Sequence, residues 1–188
     1  MSVRILGIVG AIRAGSHNRQ LAEAALKLAP EGTELVLFEG LADVPLFNPD
    51  LDVEGAVPEA AQKLRDAAQA ADGFLIFTPE HNGTIPAALK SAIDWLSRPY
   101  GAPSFGGKPV VVIGTSMGQY GGVWAQDETR KSVGIGGGKP IEDIKLSIPG
   151  SMARFAQTHP ADDAEVVAQL TDVLERVQAV VAEHKAAA

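Results

Sequence analysis

The chain has 188 residues, 46% of them hydrophobic, and a formal net charge of −7. That length suits one domain with a sizeable core, and an acidic balance without a basic stripe argues against nucleic-acid or anionic-membrane partners. The absence of cysteine excludes disulfides, thiolate nucleophiles, Fe–S clusters and cysteine-type zinc sites, so any redox chemistry must come from a bound cofactor.

Met1-Ser2-Val3-Arg4 runs directly into a short apolar strand and does not read as a signal peptide. No apolar run approaches the ~18 residues that span a bilayer, so a cytoplasmic protein is expected. Val3 to Gly10 is apolar, β-branched and closed by glycine, which predicts a buried strand. Ser16 or Asn18 caps a helix to about Ala29, with Leu21, Ala24, Ala25 and Leu28 on one face. Thr33 to Phe38 reads as a second strand. The connection from Glu39 to Val57 is longer than the usual strand-to-helix loop, which marks it as functional or as part of an interface.

Pro58 opens a second helix to about Ala71. Gly73 to Phe77 is a third strand. The loop Thr78-Pro79-Glu80-His81-Asn82-Gly83-Thr84 leads to a helix from Ile85 to about Leu96, closed by Pro99. Lys108 to Gly114 is a fourth strand. The loop Thr115 to Gly121 leads to a helix from Gly122 to Val133, followed by a flexible stretch, Gly134 to Gly138. Ile141 to Ile148 reads as a fifth strand. Asp162 or Asp163 starts a last amphipathic helix to about His184, and residues 185–188 are expected to fray. Strand and helix alternate five times without a linker or repeat. The prediction is one α/β domain over residues 1–188, with a doubly wound five-stranded parallel sheet of order 2-1-3-4-5 and helices on both faces.

In such sheets ligands bind beyond the C-terminal strand ends, where the strand order reverses. The loops after strands one, three and four meet there. The first, Gly10 to Asn18, is neither a dinucleotide fingerprint nor a P-loop. It still offers backbone N–H groups at a helix start, donors at Ser16 and Asn18, and the Arg13 guanidinium, which suits a phosphate monoester. It reads equally as a capped turn with a solvated arginine. In the second loop Pro79 is a rigid strand exit and Gly83 permits close approach of a flat ligand, while Glu80 reads either as a site residue or as an ion-pair partner. The third loop offers exposed amides for the polar edge of a planar ring, or is a flexible turn.

The segments GAIRAGSHNRQLAEA, VPLFNPDLD, TPEHNGTIPAALKSAIDWLSRP and FGGKPVVVIGTSMGQYGG resemble the NADPH-dependent FMN reductase family, which includes bacterial quinone, azo and chromate reductases. The resemblance covers about Val3 to Val133. It implies a flavodoxin-like fold, non-covalent FMN, NAD(P)H as donor, hydride transfer through flavin N5 to a quinone or similar small acceptor, and a homodimer or homotetramer. Arg13, Ser16 and Asn18 match the family's phosphate loop. Pro79, Glu80, His81, Asn82 and Gly83 match the segment along the isoalloxazine ring, and Ser116 and Gly118 the loop at its polar edge. Arg98, in LSRP, resembles a subunit contact, and the Glu39–Val57 and Asp94–Pro99 segments are expected at the interface. The chain departs from the family's pattern at Ala11 (usually Ser), His81 (usually Tyr) and Trp124 (commonly Arg), which bears on substrate and donor preference. No catalytic side chain is required, because the cofactor carries the chemistry. His81 reads either as a side chain able to donate a proton to the reaction or as a solvated loop histidine.

The alternative is a flavodoxin-like electron-transfer protein. Its phosphate loop is typically Thr/Ser-rich without arginine, and Arg13 argues against it. A low-molecular-weight phosphatase would need a cysteine, and a receiver domain an acidic cluster after strand one. Neither is present.

Overall fold

The computed structural model describes residues 2–187. Five of its strands run in the order β2-β1-β3-β4-β5, with β1 Val3–Val9, β2 Thr33–Leu37, β3 Gly73–Phe77, β4 Pro109–Thr115 and β5 Lys139–Pro140. All of these pairings are parallel. The helices are α1 His17–Leu28, α2 Glu59–Ala70, α3 Ala87–Leu96, α4 Val123–Ile135, α5 Ser151–Arg154 and α6 Ala164–Ala187. This is the doubly wound parallel sheet that the alternating pattern predicts, in the flavodoxin-like order that the family resemblance implies.

Side-chain alternation along the strands creates two cores. Val3, Ile5, Leu75, Phe77, Val111 and Ile113 face α1 and α6. Leu6, Ile8, Phe74, Ile76, Val110 and Val112 face α2, α3 and α4. With helices covering both faces, β1, β3 and β4 are almost wholly buried, which is why their sequences are continuous apolar runs.

The fifth strand departs from expectation. It is broken into β5 and a second piece, β6 (Ser147–Ile148), which both pair with β4. Opposite β4 residues 111–113 the chain bulges out through residues 141–146. Buried Arg130 fills the gap: its Nη1 donates to the Val112 carbonyl at 3.1 Å, a main-chain acceptor that an unbroken neighbouring strand would use. Two helix starts also move inward. Pro58 and Pro86 adopt extended backbone as N-caps, so the helices begin at Glu59 and Ala87. Helix α6 continues past the expected end at His184 because Lys185 Nζ bonds the Asp72 carboxylate at 2.8 Å and the Ser2 carbonyl at 3.1 Å.

The long connection folds back over α3 through two short 3-10 turns, Leu41–Asp43 and Pro49–Leu51. The Pro45 carbonyl accepts from Trp95 Nε1 at 2.9 Å and from Ser91 Oγ at 2.8 Å. Phe47 meets Trp95 edge to face at 5.0 Å, and Asp52 pairs with buried Arg65 at 2.6 Å. Trp95 is thus fully buried within its own chain, a correction to its expected place at a subunit contact.

Candidate functional site

The β1, β3 and β4 exits converge on a cavity of about 370 Å³, within the range of small-molecule and cofactor sites. Close backbone approach makes the convergence possible. A Cβ on Gly114 would lie 2.1 Å from the Thr78 carbonyl oxygen, and one on Gly10 2.8 Å from Leu89 Cδ2. At Gly114, where the neighbour is main chain, only glycine lets the β3 and β4 exits pack this tightly.

At one end of the cavity lies the start of α1. Ser16 is its N-cap, accepting from the Arg19 N–H at 3.4 Å, and its hydroxyl hydrogen stays free to donate. The His17 and Asn18 main-chain N–H groups form no hydrogen bond within the described residues, as the first turn of a helix requires. Arg13 is exposed and bonded only to its neighbour, the Ala14 carbonyl, at 3.2 Å. It is the only lysine or arginine among the residues lining the cavity. Arg19 is committed elsewhere, forked onto Glu39 at 2.7 and 2.8 Å and bonded to Glu23 at 3.0 Å. Two free amides, a hydroxyl and an uncommitted guanidinium make an anion site at a helix N-terminus.

The other walls are mainly apolar: Ile12, Pro79, Pro86, Ala87, Met117 and Met152. The start of α3 has no side-chain cap, so a second set of helix amides meets the cavity near Ala87 and Ala88. A flat ring fits such walls, and a phosphate fits the opposite end. The donor set therefore matches FMN.

Of the residues expected here, Arg13, Ser16, Asn18, Pro79, Glu80, His81 and Ser116 line the cavity, and Asn82, Gly83 and Gly118 do not. Asn82 (φ 53°) and Gly83 (φ 76°) form the tip of a tight turn closed by reciprocal His81–Thr84 main-chain bonds at 3.1 Å. Two successive left-handed residues make this the turn that Asn-Gly favours, so these residues shape the loop instead of facing the cavity. Asn18 is also used differently from expectation: both ends of its side chain bond Thr115. Glu80 is not an ion-pair partner; its carboxylate accepts from the Ala125 N–H at 3.1 Å and caps α4. His81 is exposed.

Three contributions were not legible from the loops alone. His17 lines the cavity beside Arg13 and packs edge to face on Phe155 at 5.7 Å. Burial, and then the Arg13 charge, push its imidazole below its ordinary value, which favours the neutral form. Ser151 and Met152 enter from the exit of β6, and finding them required knowing how the broken strand ends. Pro86 to Ala88 enter from the start of α3, which a proline two residues after Thr84 could have signalled.

The sequence profile described as NADPH-dependent FMN reductase matches residues 3–153. The chain belongs to the NADPH-dependent FMN reductase family. The match takes in every loop that lines the cavity. A quinone reductase of Pseudomonas putida is 42% identical over 126 residues, 67% of each chain. An NAD(P)H-dependent FMN reductase of Pseudomonas aeruginosa is 35% identical over 162 residues, 86% of each chain. Among solved structures, FerB, a flavoenzyme NAD(P)H:(acceptor) oxidoreductase from Paracoccus denitrificans, superposes with a TM-score of 0.86 at 30% identity. That match covers 97% of this chain and 98% of FerB.

Proposed function

We propose that the chain is a single-domain, FMN-containing reductase that uses NAD(P)H to reduce quinones or similar small acceptors. The observation that carries this reading is the cavity itself, with the Arg13 and α1 anion site at one end and apolar walls at the other. Membership of the family and the names of its relatives support it. In the assignment, the Ser16 hydroxyl, the His17 and Asn18 amides and Arg13 hold the phosphate. Pro79, Glu80 and His81 border the ring, and Ser116 lies near its polar edge. Bound FMN would accept hydride from NAD(P)H and pass it to the acceptor. The protein's part is to orient the ring, exclude water with the Ile12, Pro79, Met117 and Met152 wall, and direct main-chain dipoles at developing negative charge.

The test is the absorption spectrum of the purified protein, with extraction and mass measurement of the flavin, followed by NAD(P)H oxidation with and without a quinone. FMN together with quinone-dependent NAD(P)H oxidation is expected. FMN without NAD(P)H oxidation would favour the electron-carrier alternative. The need for NAD(P)H fits a cytoplasmic protein, and the charge of −7 fits neither nucleic acid nor an anionic membrane as partner. Among the described residues no helix is long and apolar enough to cross a membrane, and no group of His, Asp or Glu is placed to hold a metal.

The reading includes a homodimer or homotetramer. Exposed Leu46, Val53 and Tyr100 lie in or beside the two segments expected at the interface, and Arg98 stacks on Phe47 at 5.4 Å between them. Exposed apolar surface of this kind supports a partner. Light scattering at micromolar concentration with FMN present should return at least twice the chain mass, and a monomer mass would reject it.

A further inference from the structure

The sequence contains three methionines and no cysteine. Two of the three, Met117 and Met152, line the cavity. They are 77% and 59% exposed, although methionine is among the residue types most often buried. Their positions are set by main chain. Met117 stands between Ser116 and Gly118, whose carbonyls accept from the Ser151 N–H at 3.0 Å and the Gly150 N–H at 3.4 Å. Met152 follows directly. The two thioethers therefore ride on neighbouring, hydrogen-bonded segments at one side of the site.

We propose that Met117 and Met152 form a modification site, in which hydrogen peroxide produced in this cavity converts the two thioethers to sulfoxides. The proposal rests on the reductase reading above. When no quinone is present, dioxygen is the remaining acceptor: NAD(P)H, one proton and O₂ yield NAD(P)⁺ and H₂O₂. A sulfur lone pair then takes one peroxide oxygen, the O–O bond breaks, and the other oxygen leaves as water. The thioether loses two electrons and the peroxide gains them. No thiolate exists in the chain to intercept the oxidant, and both methionines line the cavity in which the proposal has it form. The product is polar where the wall was apolar and adaptable. Affinity for an apolar quinone falls as a result.

The test cycles the holoenzyme with NADPH in air without quinone, with and without catalase, beside an added methionine-containing peptide that reports bulk peroxide. Peptide mass mapping should show one added oxygen on the Met117 and Met152 peptides, increasing with NADPH consumed, persisting with catalase and absent under anaerobic conditions. The reporter peptide should be protected by catalase. The quinone KM should rise in step with the oxidation, and a Met117→Leu, Met152→Leu double variant should show no such rise. Full protection by catalase, or equal oxidation of the reporter, would overturn the proposal by making bulk peroxide the agent. NADPH consumption without sulfoxide at either residue overturns this proposal alone. Failure to consume NADPH overturns the reductase reading, and this proposal with it.

Discussion

Asn18 holds both main-chain groups of Thr115. Its Nδ2 donates to the Thr115 carbonyl at 2.9 Å, and its Oδ1 accepts from the Thr115 N–H at 3.0 Å. The carboxamide acts as one more strand partner at the end of β4, and it fixes the α1 start against the third loop. The anion end of the cavity and its ring end are thereby held in one geometry. Asn18→Ala should cost about 1–3 kcal/mol, because the Thr115 N–H and carbonyl are left buried and unpaired. Urea unfolding followed by circular dichroism measures this. Asn18→Asp tests the electrostatics separately. One carboxylate oxygen can still accept from the Thr115 N–H, but the other opposes the Thr115 carbonyl and places negative charge in an anion site. FMN affinity should fall more than riboflavin affinity.

Arg130 carries the second prediction. It is buried, its Nη2 reaches Asp127 at 2.6 Å, its Nη1 serves the Val112 carbonyl, and its Nε has no hydrogen-bond partner. Asp127 and Glu142 beside it are mostly exposed, so water can solvate them when the arginine is removed. Arg130→Met should therefore cost roughly the price of one orphaned buried carbonyl, about 1–3 kcal/mol. Hydrogen exchange at 141–146 should accelerate before exchange in β1 or β3 does. Equal acceleration across the sheet would mean that Arg130 supports the whole fold and not the bulge.

What could be read from the sequence follows the same physics. Strands buried on two faces become continuous apolar runs, so β1, β3 and β4 were legible as buried parallel strands, while their order came with the flavodoxin-like fold that the family resemblance implies. The convergence of the three loops followed from that order, and with it the placement of Arg13, Ser16, Pro79 and Ser116 around one cavity. The bulge was not legible, because Ile141, Ile144 and Leu146 keep an apolar rhythm across it and Arg130 is too far away in sequence to be paired with Val112. Nor was the role of Asn82 and Gly83, because an Asn-Gly pair that closes a tight turn and one that borders a flat ligand read identically in sequence. Glu80 and Asn18 are polar residues in loops, and sequence cannot tell whether such a residue faces a ligand or a neighbouring main chain.

Acid stability should depend on Arg154 and Asp163. Their carboxylate–guanidinium contacts are 2.6 and 2.9 Å, and Asp163 also caps α6 through the Glu165 and Val166 N–H groups. Arg154 is the main reason the Asp163 carboxyl is lowered from 3.8 to about 2. The folded value lies below the unfolded one, so this contribution is complete above about pH 4 and is lost as pH falls through about 2. Urea unfolding between pH 6 and pH 2 should show wild type losing stability within that window. Arg154→Met should be less stable at pH 6 and should lose less over the same window, so that the two curves approach each other near pH 2. Parallel curves would show that the pair adds no pH dependence.

Arg13 is the most discriminating residue for the cofactor assignment. FMN carries a phosphate with between one and two negative charges at pH 7, and riboflavin has none. Arg13 is the only lysine or arginine lining the cavity, and its one bond inside the protein, to the Ala14 carbonyl at 3.2 Å, is weak and exposed. The folded chain thus spends little of this guanidinium, and Arg13→Ala should leave stability nearly unchanged. A hydrogen bond to a charged group contributes about 1.5–3 kcal/mol, so FMN binding should weaken by roughly ten- to a hundred-fold. Riboflavin binding should barely change. Fluorescence titration of both flavins against wild type and variant forms a cycle that isolates the phosphate contribution. His17 lines the cavity beside Arg13, and the Arg13 charge is one of the two causes that lower its imidazole, so the titrations are repeated at a pH well above the histidine range, where the imidazole cannot replace the lost charge. Equal losses for the two flavins would mean that Arg13 acts through loop structure, and no loss for either would remove it from the binding site.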